Sequence, residues 1–398
     1  MKLTISTKAL LAPLKAVSGV IVKKPTLPIL ECALVEYIDE NHAYITGSSP
    51  ENALTVPIDL RLADDSFTPF CLSLETLMPI LSALPEQPLD IEIDMEKHLA
   101  VFHHSSGVFS LPVQPGDEFP HLPELKEPLC VFEIPRDIFL PAINAASACA
   151  SNQEFKPVMC SVLLDVRQDG VTFVASDGHK MYKYAFDHGI PFLKQGDADG
   201  ILLPANVVRA ILSAFEKADM IRVSHDGQRI LLESDIPQKG KKTDGEEQTS
   251  LGTTSFSIRA IEGKYPQYDR IIPKEPPYQV KVPTKDLLGA VRRVDLLSPL
   301  SSKLLKFSRC LEGLFVSTED IETSRSASET ITIDADNINL PTDFAIGFKS
   351  DTLIQLLGNI STDDVLLLFT SAEKAILIKE ADPKSPLTEL LMPMKITG

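Results

Sequence analysis

Four patterns of apolar and polar residues recur three times along the chain, in the same order and about 130 to 150 residues apart. The first has apolar residues at positions i, i+1 and i+4, which predicts an amphipathic helix. The second predicts a strand that ends in a small polar turn, the third another helix, and the fourth a closing strand. The first helix pattern starts at Leu10, Ile138 and Leu287, the strand contains Tyr44, Phe173 and Phe315, the second helix carries Ile80, Ile211 and Leu356, and the closing strand starts at Phe109, Phe256 and Leu387. The chain is therefore predicted to contain three repeats of one unit.

Short alternating segments between the helix patterns indicate antiparallel strands, as in LDIEIDM of the first unit and ILLES of the second. Two helices packed on such a sheet bury one face of each layer. The fold class is therefore predicted to be α+β, with three repeated domains of two helices on antiparallel sheet. The predicted domains are residues 1–125, 128–274 and 276–398.

The second unit is longer than the other two, and one segment accounts for the difference. Residues 237–254 read PQKGKKTDGEEQTSLGTT, which is rich in Gly, Lys, Glu and Thr and has no apolar periodicity. Such a composition is typical of a solvated loop. The sequence therefore predicts a polar surface loop inserted in the second domain.

The composition is that of a soluble globular protein, with 44% hydrophobic and 23% charged residues among 398. No apolar run is long enough for a membrane span, and Lys8 and Lys15 interrupt the N-terminal apolar stretch that would resemble a signal peptide. The cysteines are scattered without any C-x-x-C pair, which favours neither a zinc site nor a disulfide framework. They are Cys32, Cys71, Cys130, Cys149, Cys160 and Cys310. A reducing cytoplasm is the expected location.

The strongest candidate for catalysis is the segment Ser176, Asp177, Gly178 and His179, followed by Asp187 and His188. Adjacent residues rarely form a triad, and no G-x-S-x-G elbow accompanies them. The segment also lacks H-E-x-x-H spacing for a metal, and the chain has no Walker-type phosphate loop. We expect a strand-ending turn here, and predict no enzyme activity, no metal and no cofactor.

Five segments, taken together and in order, resemble the beta subunits of bacterial DNA polymerase III, the beta sliding clamps. They are VSGVIVKKPTLPIL (17–30), FVASDGHKMY (173–182), LPANVVRAIL (203–212), EGKYPQYDRIIP (262–273) and LLMPMKI (390–396). The resemblance covers essentially the whole chain. It implies a non-catalytic, head-to-tail homodimeric ring that encircles duplex DNA, with helices facing the hole, and tethers the replicative polymerase as its processivity factor.

The net charge of −17 disfavours a protein that holds DNA by attraction. A closed ring holds DNA by topology and requires only a locally basic inner face. The resemblance implies sequence-independent DNA contacts by Lys24 and Gln153 and, on helices, by Lys8, Lys15, Arg136, Arg209, Arg292 and Arg293. For each lone cation an ordinary solvated helix face is the alternative. Ala205, Pro157 and Val158 depart from residues common in the family, so weaker direct DNA contact is expected.

The resemblance also implies a groove that binds short peptides with apolar anchors, carried by polymerases, the clamp loader and repair proteins. Met is flexible and suits varied partners, and Pro393 predicts that the terminal stretch leaves the sheet or lies at its edge. The groove residues would be Met159, Ser176, Gly178, His179, Lys180, Met181, Pro266, Arg270, Ile271, Leu390, Met392, Pro393, Met394 and Ile396. The alternative is routine core between domains. Glu373 and the Lys395-Ile396 ending depart from the family and predict a rim of different charge.

The closing contact of the ring is expected between Phe109 and Leu111 of the first domain and Leu296 and Leu297 of the third. Ordinary core positions are the alternative for these four residues. Three kinds of protein therefore remain in competition: a clamp that encircles DNA, a triplicated peptide-binding scaffold that is indifferent to DNA, and a metal-assisted hydrolase.

Overall fold

The computed structural model describes residues 1–39, 42–62, 67–167, 170–186, 192–194, 200–237 and 250–396. The chain divides into two compact bodies. Body 1 comprises Met1–Asn144 and Gly189–Glu262, and body 2 comprises Ala145–His188 and Gly263–Gly398. No helix within the described ranges is long and apolar enough to cross a membrane.

The described residues repeat one order of elements three times: a strand, a helix, five strands, a second helix and three strands. Repeat 1 consists of β1 (Lys2–Ser6), α1 (Thr7–Ser18), β2 (Cys32–Asp39), β3 (His42–Ser48), β4 (Ala53–Asp59), β5 (Arg61–Leu62), β6 (Phe70–Ser73), α2 (Leu74–Ala83), β7 (Pro88–Asp94), β8 (Leu99–His104) and β9 (Gly107–Pro115).

Repeat 2 consists of β10 (Cys130–Pro135), α3 (Arg136–Ser147), β11 (Ser161–Arg167), β12 (Gly170–Ser176), β13 (Lys180–Phe186), β14 (Phe192–Lys194), β15 (Ile201–Pro204), α4 (Val208–Ala214), β16 (Met220–His225), β17 (Arg229–Pro237) and β18 (Ser250–Arg259). Repeat 3 consists of β19 (Tyr278–Pro283), α5 (Thr284–Asp295), β20 (Leu304–Cys310), β21 (Gly313–Asp320), β22 (Arg325–Thr332), β23 (Ile338–Asn339), β24 (Ala345–Lys349), α6 (Ser350–Leu357), β25 (Asp364–Phe369), β26 (Ile376–Glu380) and β27 (Leu387–Leu391). The predicted α+β fold with three repeats is confirmed.

One backbone hydrogen bond aligns the three repeats residue by residue. In each repeat, the first residue of the first helix donates its N–H to the backbone carbonyl of one particular residue. That residue directly precedes the strand that follows the second helix. The bonds are Thr7 to Gln87 at 2.9 Å, Arg136 to Asp219 at 3.0 Å and Thr284 to Asp363 at 2.8 Å. By this alignment Phe139, rather than Ile138, is the fully buried equivalent of Leu10. The predicted alignment of this helix was therefore wrong by one residue, because Ile138 is apolar as well.

The cores of the first and third repeats lie between their helices and their sheets, and α1 illustrates the local causes. The side-chain oxygen of Ser6 caps this helix by accepting the N–H of Ala9 at 3.2 Å. Leu10, Leu14 and Val17 repeat at helical spacing and are buried against α2, β3 and β4. The polar face that remains carries the exposed Lys8 and Lys15.

In body 1 one sheet runs through strands of two repeats, in the order β14-β10-β16-β17-β18-β4-β3-β2-β6-β9-β8-β7-β1-β5. The junction is an antiparallel pairing of β18, the closing strand of repeat 2, with β4, the fourth strand of repeat 1. Phe256 lies opposite Leu54 in this pairing. We call the β4–β18 pairing seam 1.

Body 2 repeats this arrangement one repeat further along the chain. Its strands run β11-β12-β13-β27-β26-β25-β19-β23, with a separate sheet in the order β22-β21-β20-β24. The closing strand β27 of repeat 3 pairs with β13, the fourth strand of repeat 2, and places Glu389 opposite Tyr182. We call the β13–β27 pairing seam 2.

The structure corrects the ends of the predicted polar loop. Pro237 pairs with Ser250, and Asp235 pairs with Thr253, so both ends of the 237–254 segment belong to the hairpin of β17 and β18. The Ser, Gly and Thr residues of β18 have no apolar periodicity, which hid this part of the strand from the sequence pattern. Residues 238–249 lie outside the described residues.

Candidate functional site

Part of the predicted groove, the turn before β13 and the residues that follow β27, lies at one end of seam 2. Lys180 lies opposite Leu391, and Met181 lies opposite Leu390. Beyond this last pair the Met392 N–H still donates to the His179 carbonyl at 2.8 Å. The turn before β13 and the chain after β27 therefore meet at the same end of the sheet.

The terminal residues then leave seam 2 and lie along the edge of β24, as Pro393 predicted. The Met394 N–H donates to the Gly347 carbonyl at 2.8 Å. A side chain at Gly347 would place its Cβ 2.9 Å from the Met394 carbonyl oxygen and 3.1 Å from the Ile396 Cγ1. The glycine therefore permits close approach of the tail, and the sequence patterns did not indicate this role.

The segment Ser176 to His179 uses its polar side chains to build a turn. The Ser176 hydroxyl donates to the Lys180 carbonyl at 2.7 Å and accepts the Gly178 N–H at 3.1 Å. The Asp177 carboxylate accepts the N–H groups of His179 and Lys180 at 2.8 and 2.9 Å, and Gly178 has a φ of +93°. These groups have structural partners, as expected of a strand-ending turn. Among the described residues no group of three or more His, Cys, Asp or Glu is placed to hold a metal ion; Asp187 and His188 lie outside those residues.

The candidate groove residues differ in their exposure to solvent. Six are exposed: Gly178, His179, Pro266, Arg270, Ile271 and Met392. Five are half-buried: Met159, Lys180, Pro393, Met394 and Ile396. Ser176, Met181 and Leu390 are buried, with Met181 fully so. The exposed apolar side chains are Ile271 and Met392, at 55% and 39%.

Two buried tyrosines fix the segment that carries Pro266, Arg270 and Ile271. Tyr265 and Tyr268 are each 7% exposed. The Tyr268 hydroxyl donates to the Asp165 carboxylate of β11, and the Lys183 ammonium of β13 lies 5.2 Å from the Tyr268 ring centroid. Burial raises the pKa of Tyr268, so the phenol remains a donor. Sequence patterns missed this cluster because its members lie about a hundred residues apart.

A carboxyl group is buried inside seam 2. Glu389 is 0% exposed, and its Oε1 accepts the Asn359 side-chain N–H at 2.7 Å. Its Oε2 has no hydrogen-bond partner among the described residues. Burial raises the pKa of Glu389 to about 8, against the opposing effect of the Asn359 hydrogen bond.

The candidate DNA-contacting residues lie in both bodies. Seven are exposed: Lys8, Lys15, Lys24 and Arg209 in body 1, and Gln153, Arg292 and Arg293 in body 2. Arg136 is half-buried and donates from Nε to the Ala218 carbonyl at 3.2 Å. Arg293 makes a two-bond ion pair with Glu329. These two guanidinium groups therefore already have protein partners.

The helices α1 and α5 place cations at matching positions. Lys8 and Lys15 are exposed and seven residues apart, which is about two helical turns, so they share a face of α1. Lys285 and Arg292 have the same spacing and exposure on α5. Lys285 was not among the predicted residues, although its spacing from Arg292 was the available signal.

Lys24 and Gln153 occupy exposed loops with defined backbones. Lys24 adopts a φ of +54°, and its N–H donates to the Glu31 carboxylate at 2.9 Å. Gln153 lies within an exposed run, and its N–H donates to the Ser151 hydroxyl at 3.1 Å. These contacts hold both loops in place and leave the Lys24 and Gln153 side chains exposed.

The four predicted contact residues of the ring differ in exposure. Phe109 is half-buried and stacks on Phe102, with ring centroids 4.7 Å apart, while Leu111 is buried at 7% exposure. Leu296 and Leu297 follow α5 and are 79% and 38% exposed. Leu300, which was not predicted, adds to their apolar surface at 87% exposure.

Two strand edges lack partners within the part of the chain that the structure describes. From Gly107 to Pro112, β9 pairs with β8 on one side only. The strand β22 ends its sheet and pairs only with β21. Seams 1 and 2 each pair the closing strand of one repeat with the fourth strand of the repeat before it. The strand β9 is the closing strand of repeat 1, and β22 is the fourth strand of repeat 3.

Comparison with known proteins identifies the family. The family model for the DNA polymerase III beta subunit, N-terminal domain, matches residues 1–123 and 130–242, and the model for its C-terminal domain matches residues 269–395. The chain is 25% identical to the beta sliding clamp of Pseudomonas aeruginosa over 398 residues, and 21% identical to that of Escherichia coli K12 over 396, with 100% of each chain covered. A crystal structure of the Helicobacter pylori beta clamp bound to a DNA ligase peptide matches with a TM-score of 0.84 and 18% identity, again over 100% of each chain. The chain therefore belongs to the DNA polymerase III beta subunit family, the beta sliding clamps of bacteria.

Proposed function

We propose that two copies of this chain close head to tail into a ring that encircles duplex DNA and keeps the replicative polymerase on its template. The observation that carries the proposal is the pair of unpaired strand edges. Within the chain, the closing strand of one repeat pairs with the fourth strand of the preceding repeat, in seam 1 and in seam 2. The closing strand β9 and the fourth strand β22 have no such partner among the described residues.

The two seams also predict the register of the missing pairing. Aligning the closing strands through their neighbouring strands makes Phe109 equivalent to Phe256 and Glu389. Aligning the fourth strands in the same way makes Ala327 equivalent to Leu54 and Tyr182. Phe109 of one copy then lies opposite Ala327 of the other, and Val108 lies opposite Ser328. Because the two edges are unlike, the contact is head to tail, and two copies provide two such contacts.

The apolar surface near these edges supports the same contact. Val108 is 60% exposed beside Phe109 in body 1, and Leu296, Leu297 and Leu300 form the exposed surface after α5 in body 2. Exposed apolar side chains grouped in this way are typical of protein interfaces. Leu111 is buried within its own chain, so its part in the contact is to support Phe109.

A closed ring explains how a protein of net charge −17 can remain bound to DNA. Long-range repulsion acts on a duplex outside the ring, whereas confinement requires only weak contacts inside it. We assign these contacts to Lys8, Lys15, Lys24, Gln153, Arg209 and Arg292. Arg136 and Arg293 contribute less, because their guanidinium groups already have protein partners.

Partner peptides dock, in this proposal, at the end of seam 2 and along the terminal tail. Ile271, Met392 and the half-buried Met394 contact apolar anchors of the peptide, while the buried Ser176, Met181 and Leu390 support them from below. Two buried anchors contribute roughly 1.5 to 3 kcal/mol each, whereas micromolar affinity corresponds to about 8 kcal/mol net of association costs. Weak, exchangeable docking of polymerases, the clamp loader and repair proteins follows.

The same proposal makes the chain a non-catalytic protein of the cytoplasm that requires no cofactor, with domains at residues 1–125, 128–274 and 276–398. Topological retention tests it against a peptide-binding scaffold that is indifferent to DNA. After loading by a clamp loader and ATP, the protein is expected to stay on nicked circular DNA during gel filtration and to leave once a restriction enzyme linearises the circle. Release from both forms contradicts the proposal.

A further inference from the structure

One carboxylate joins the end of α5 to the start of α6. Asp295 is the last residue of α5, and its Oδ1 accepts hydrogen bonds from the hydroxyl of Ser298, at 2.7 Å, and from that of Ser350. Ser350 is the first residue of α6 and is fully buried, and Ser298 is buried as well. The Lys303 ammonium lies 3.3 Å from the same oxygen. Asp295 therefore binds three side chains that come from three points of the chain.

The same contacts hold the segment 296–303, which links α5 to β20, at both of its ends. Ser298 lies near the first end, and Lys303 is the last residue. The Lys303 N–H donates to the Pro299 carbonyl at 2.8 Å, and the Lys303 carbonyl accepts the Ser350 N–H at 2.8 Å. Lys303 adopts a φ of +54°, which a lysine retains only where its surroundings fix the backbone. The path of the segment is therefore set by contacts within its own chain.

This fixed segment carries the exposed apolar surface after α5. Leu296, Leu297 and Leu300 are exposed, whereas Ser298 between them is buried. The N–H groups of Leu296 and Leu297 donate to carbonyls in the last turn of α5, at 3.3 and 3.2 Å. A surface whose backbone is ordered before association loses less entropy on binding. The three leucines are therefore prepared for a contact by polar groups on the buried side of the segment.

The charge of Asp295 strengthens this anchor. Burial opposes ionisation, but the hydrogen bonds from Ser350 and Ser298 and the Lys303 ammonium outweigh it, so the pKa of Asp295 lies below its ordinary value. The group is therefore a carboxylate at neutral pH. Hydrogen bonds to an ionised acceptor are stronger than bonds between neutral groups, which makes Asp295 the centre of the anchor.

We propose that Asp295 is a positioning residue for ring closure, which holds the segment 296–303 in the form that a second copy of the chain binds. The inference rests on the proposed ring and adds how its apolar contact is prepared. Without the anchor the segment must be ordered during association, which weakens each contact about tenfold. Two contacts close the ring, so the dimer is weakened about a hundredfold.

The test measures how fast the full-length protein exchanges subunits. Dimers that carry a donor dye are mixed with dimers that carry an acceptor dye, and the rise of energy transfer gives the dissociation rate. The variants are D295A, D295N and S350A, each made in the wild type and in L297A, with the thermal midpoint measured alongside. S385A is the matched control, because the half-buried Ser385 also donates to a carboxylate of repeat 3, that of Glu380, at 2.5 Å.

D295A is expected to accelerate exchange about a hundredfold and S350A about tenfold, because each removes part of the anchor. D295N keeps an oxygen for both hydroxyls and stays closer to the wild type than D295A, and S385A exchanges as the wild type does. In L297A the effects of D295A and S350A are smaller, because one of the leucines that the anchor positions is missing.

Two results overturn the inference and leave the ring standing. The first is a lower thermal midpoint with unchanged exchange in D295A and S350A, which assigns Asp295 a merely structural role. The second is an equal acceleration with and without the Leu297 side chain, which shows that the anchor does not act through this surface. If D295A does not fold, S350A decides by the same two criteria. If the wild type is a monomer in analytical ultracentrifugation, the ring itself is wrong and the inference is wrong with it.

Discussion

Glu389 lies directly opposite Tyr182 in seam 2, at the position where seam 1 places Phe256 opposite Leu54. At this equivalent position, seam 1 therefore has the aromatic ring of Phe256 and seam 2 has the carboxyl group of Glu389. The Glu389 side chain is fully buried, and only Asn359 bonds to it among the described residues. A protonated carboxyl satisfies this environment better than a carboxylate, because ionisation would leave a buried charge without a cation.

Stability is expected to fall with rising pH because of Glu389. The fold raises the pKa of this carboxyl from 4.5 to about 8, and the negative Glu380 of the neighbouring strand adds to the effect of burial. The folded chain therefore binds the proton more tightly than the unfolded chain. The resulting stabilisation is complete below pH 4.5 and is lost as pH rises through about 8.

Glu389→Gln removes this titration and retains the hydrogen bond to Asn359. Between pH 6 and pH 9 the unfolding free energy of the wild type is expected to fall relative to that of the variant by about 2 to 3 kcal/mol. Urea unfolding at several pH values measures the difference. Glu373→Gln, at an exposed glutamate, is the control and should follow the wild type. If the unfolding free energies of the wild type and Glu389→Gln change in parallel with pH, Glu389 is not protonated in the folded protein.

Leu297→Asp is expected to split the proposed dimer. The substitution places a charge in the apolar surface after α5, where closure of the ring would remove it from water. A loss of roughly 3 kcal/mol at each of the two contacts, about 6 kcal/mol for the ring, corresponds to roughly ten-thousandfold weaker association. Analytical ultracentrifugation over a concentration series measures the dissociation constant. Leu311→Asp is the matched control, since Leu311 is 104% exposed in the turn between β20 and β21. An unchanged mass for Leu297→Asp would remove this surface from the interface.

Gly347→Ala is expected to weaken peptide binding about tenfold and to change the thermal midpoint little. The added Cβ would lie 2.9 Å from both the Met394 carbonyl oxygen and the Leu304 Cδ1, so the tail must move away from β24. Because the tail contributes few buried residues, global stability depends little on it. Gly289→Ala is the control, because its Cβ meets only the flexible end of Arg293 at 3.0 Å. Unchanged peptide affinity in Gly347→Ala would show that the tail is not part of the groove.

The architecture could be predicted from the sequence because the apolar periodicity is strong and repeats three times. The exact alignment of the repeats could not be predicted in the same way: Ile138 and Phe139 are both apolar, and the backbone hydrogen bond of Arg136 and the burial of Phe139 distinguish them. The closing strand of repeat 3 was aligned at Leu387, whereas the strand pairing makes Glu389 the equivalent of Phe109. A buried acid gives no apolar signal, and this caused the difference.

The site was predicted where it depends on local sequence and missed where it depends on distant contacts. The turn from Ser176 to His179 and the exit of the chain at Pro393 follow from residue types alone. Gly347 lies in an ordinary strand pattern, and its role comes from its contact with the terminal tail. The buried positions of Ser176, Met181 and Leu390 also could not be predicted, because the alternation of side chains along a strand does not show which face of the sheet is covered.

Disulfide trapping at the predicted register tests ring closure most directly. In the double variant V108C/S328C, cysteines on β9 of one copy and β22 of the other face each other at a distance that permits a bond. Mild oxidation is expected to give a covalent dimer with two cross-links, which stays on closed circular DNA in denaturant after loading. The pair V108C/T332C, displaced by four residues or about 13 Å along β22, should remain uncross-linked. Failure of the first pair, or equal cross-linking of both, would contradict the proposed pairing of β9 with β22.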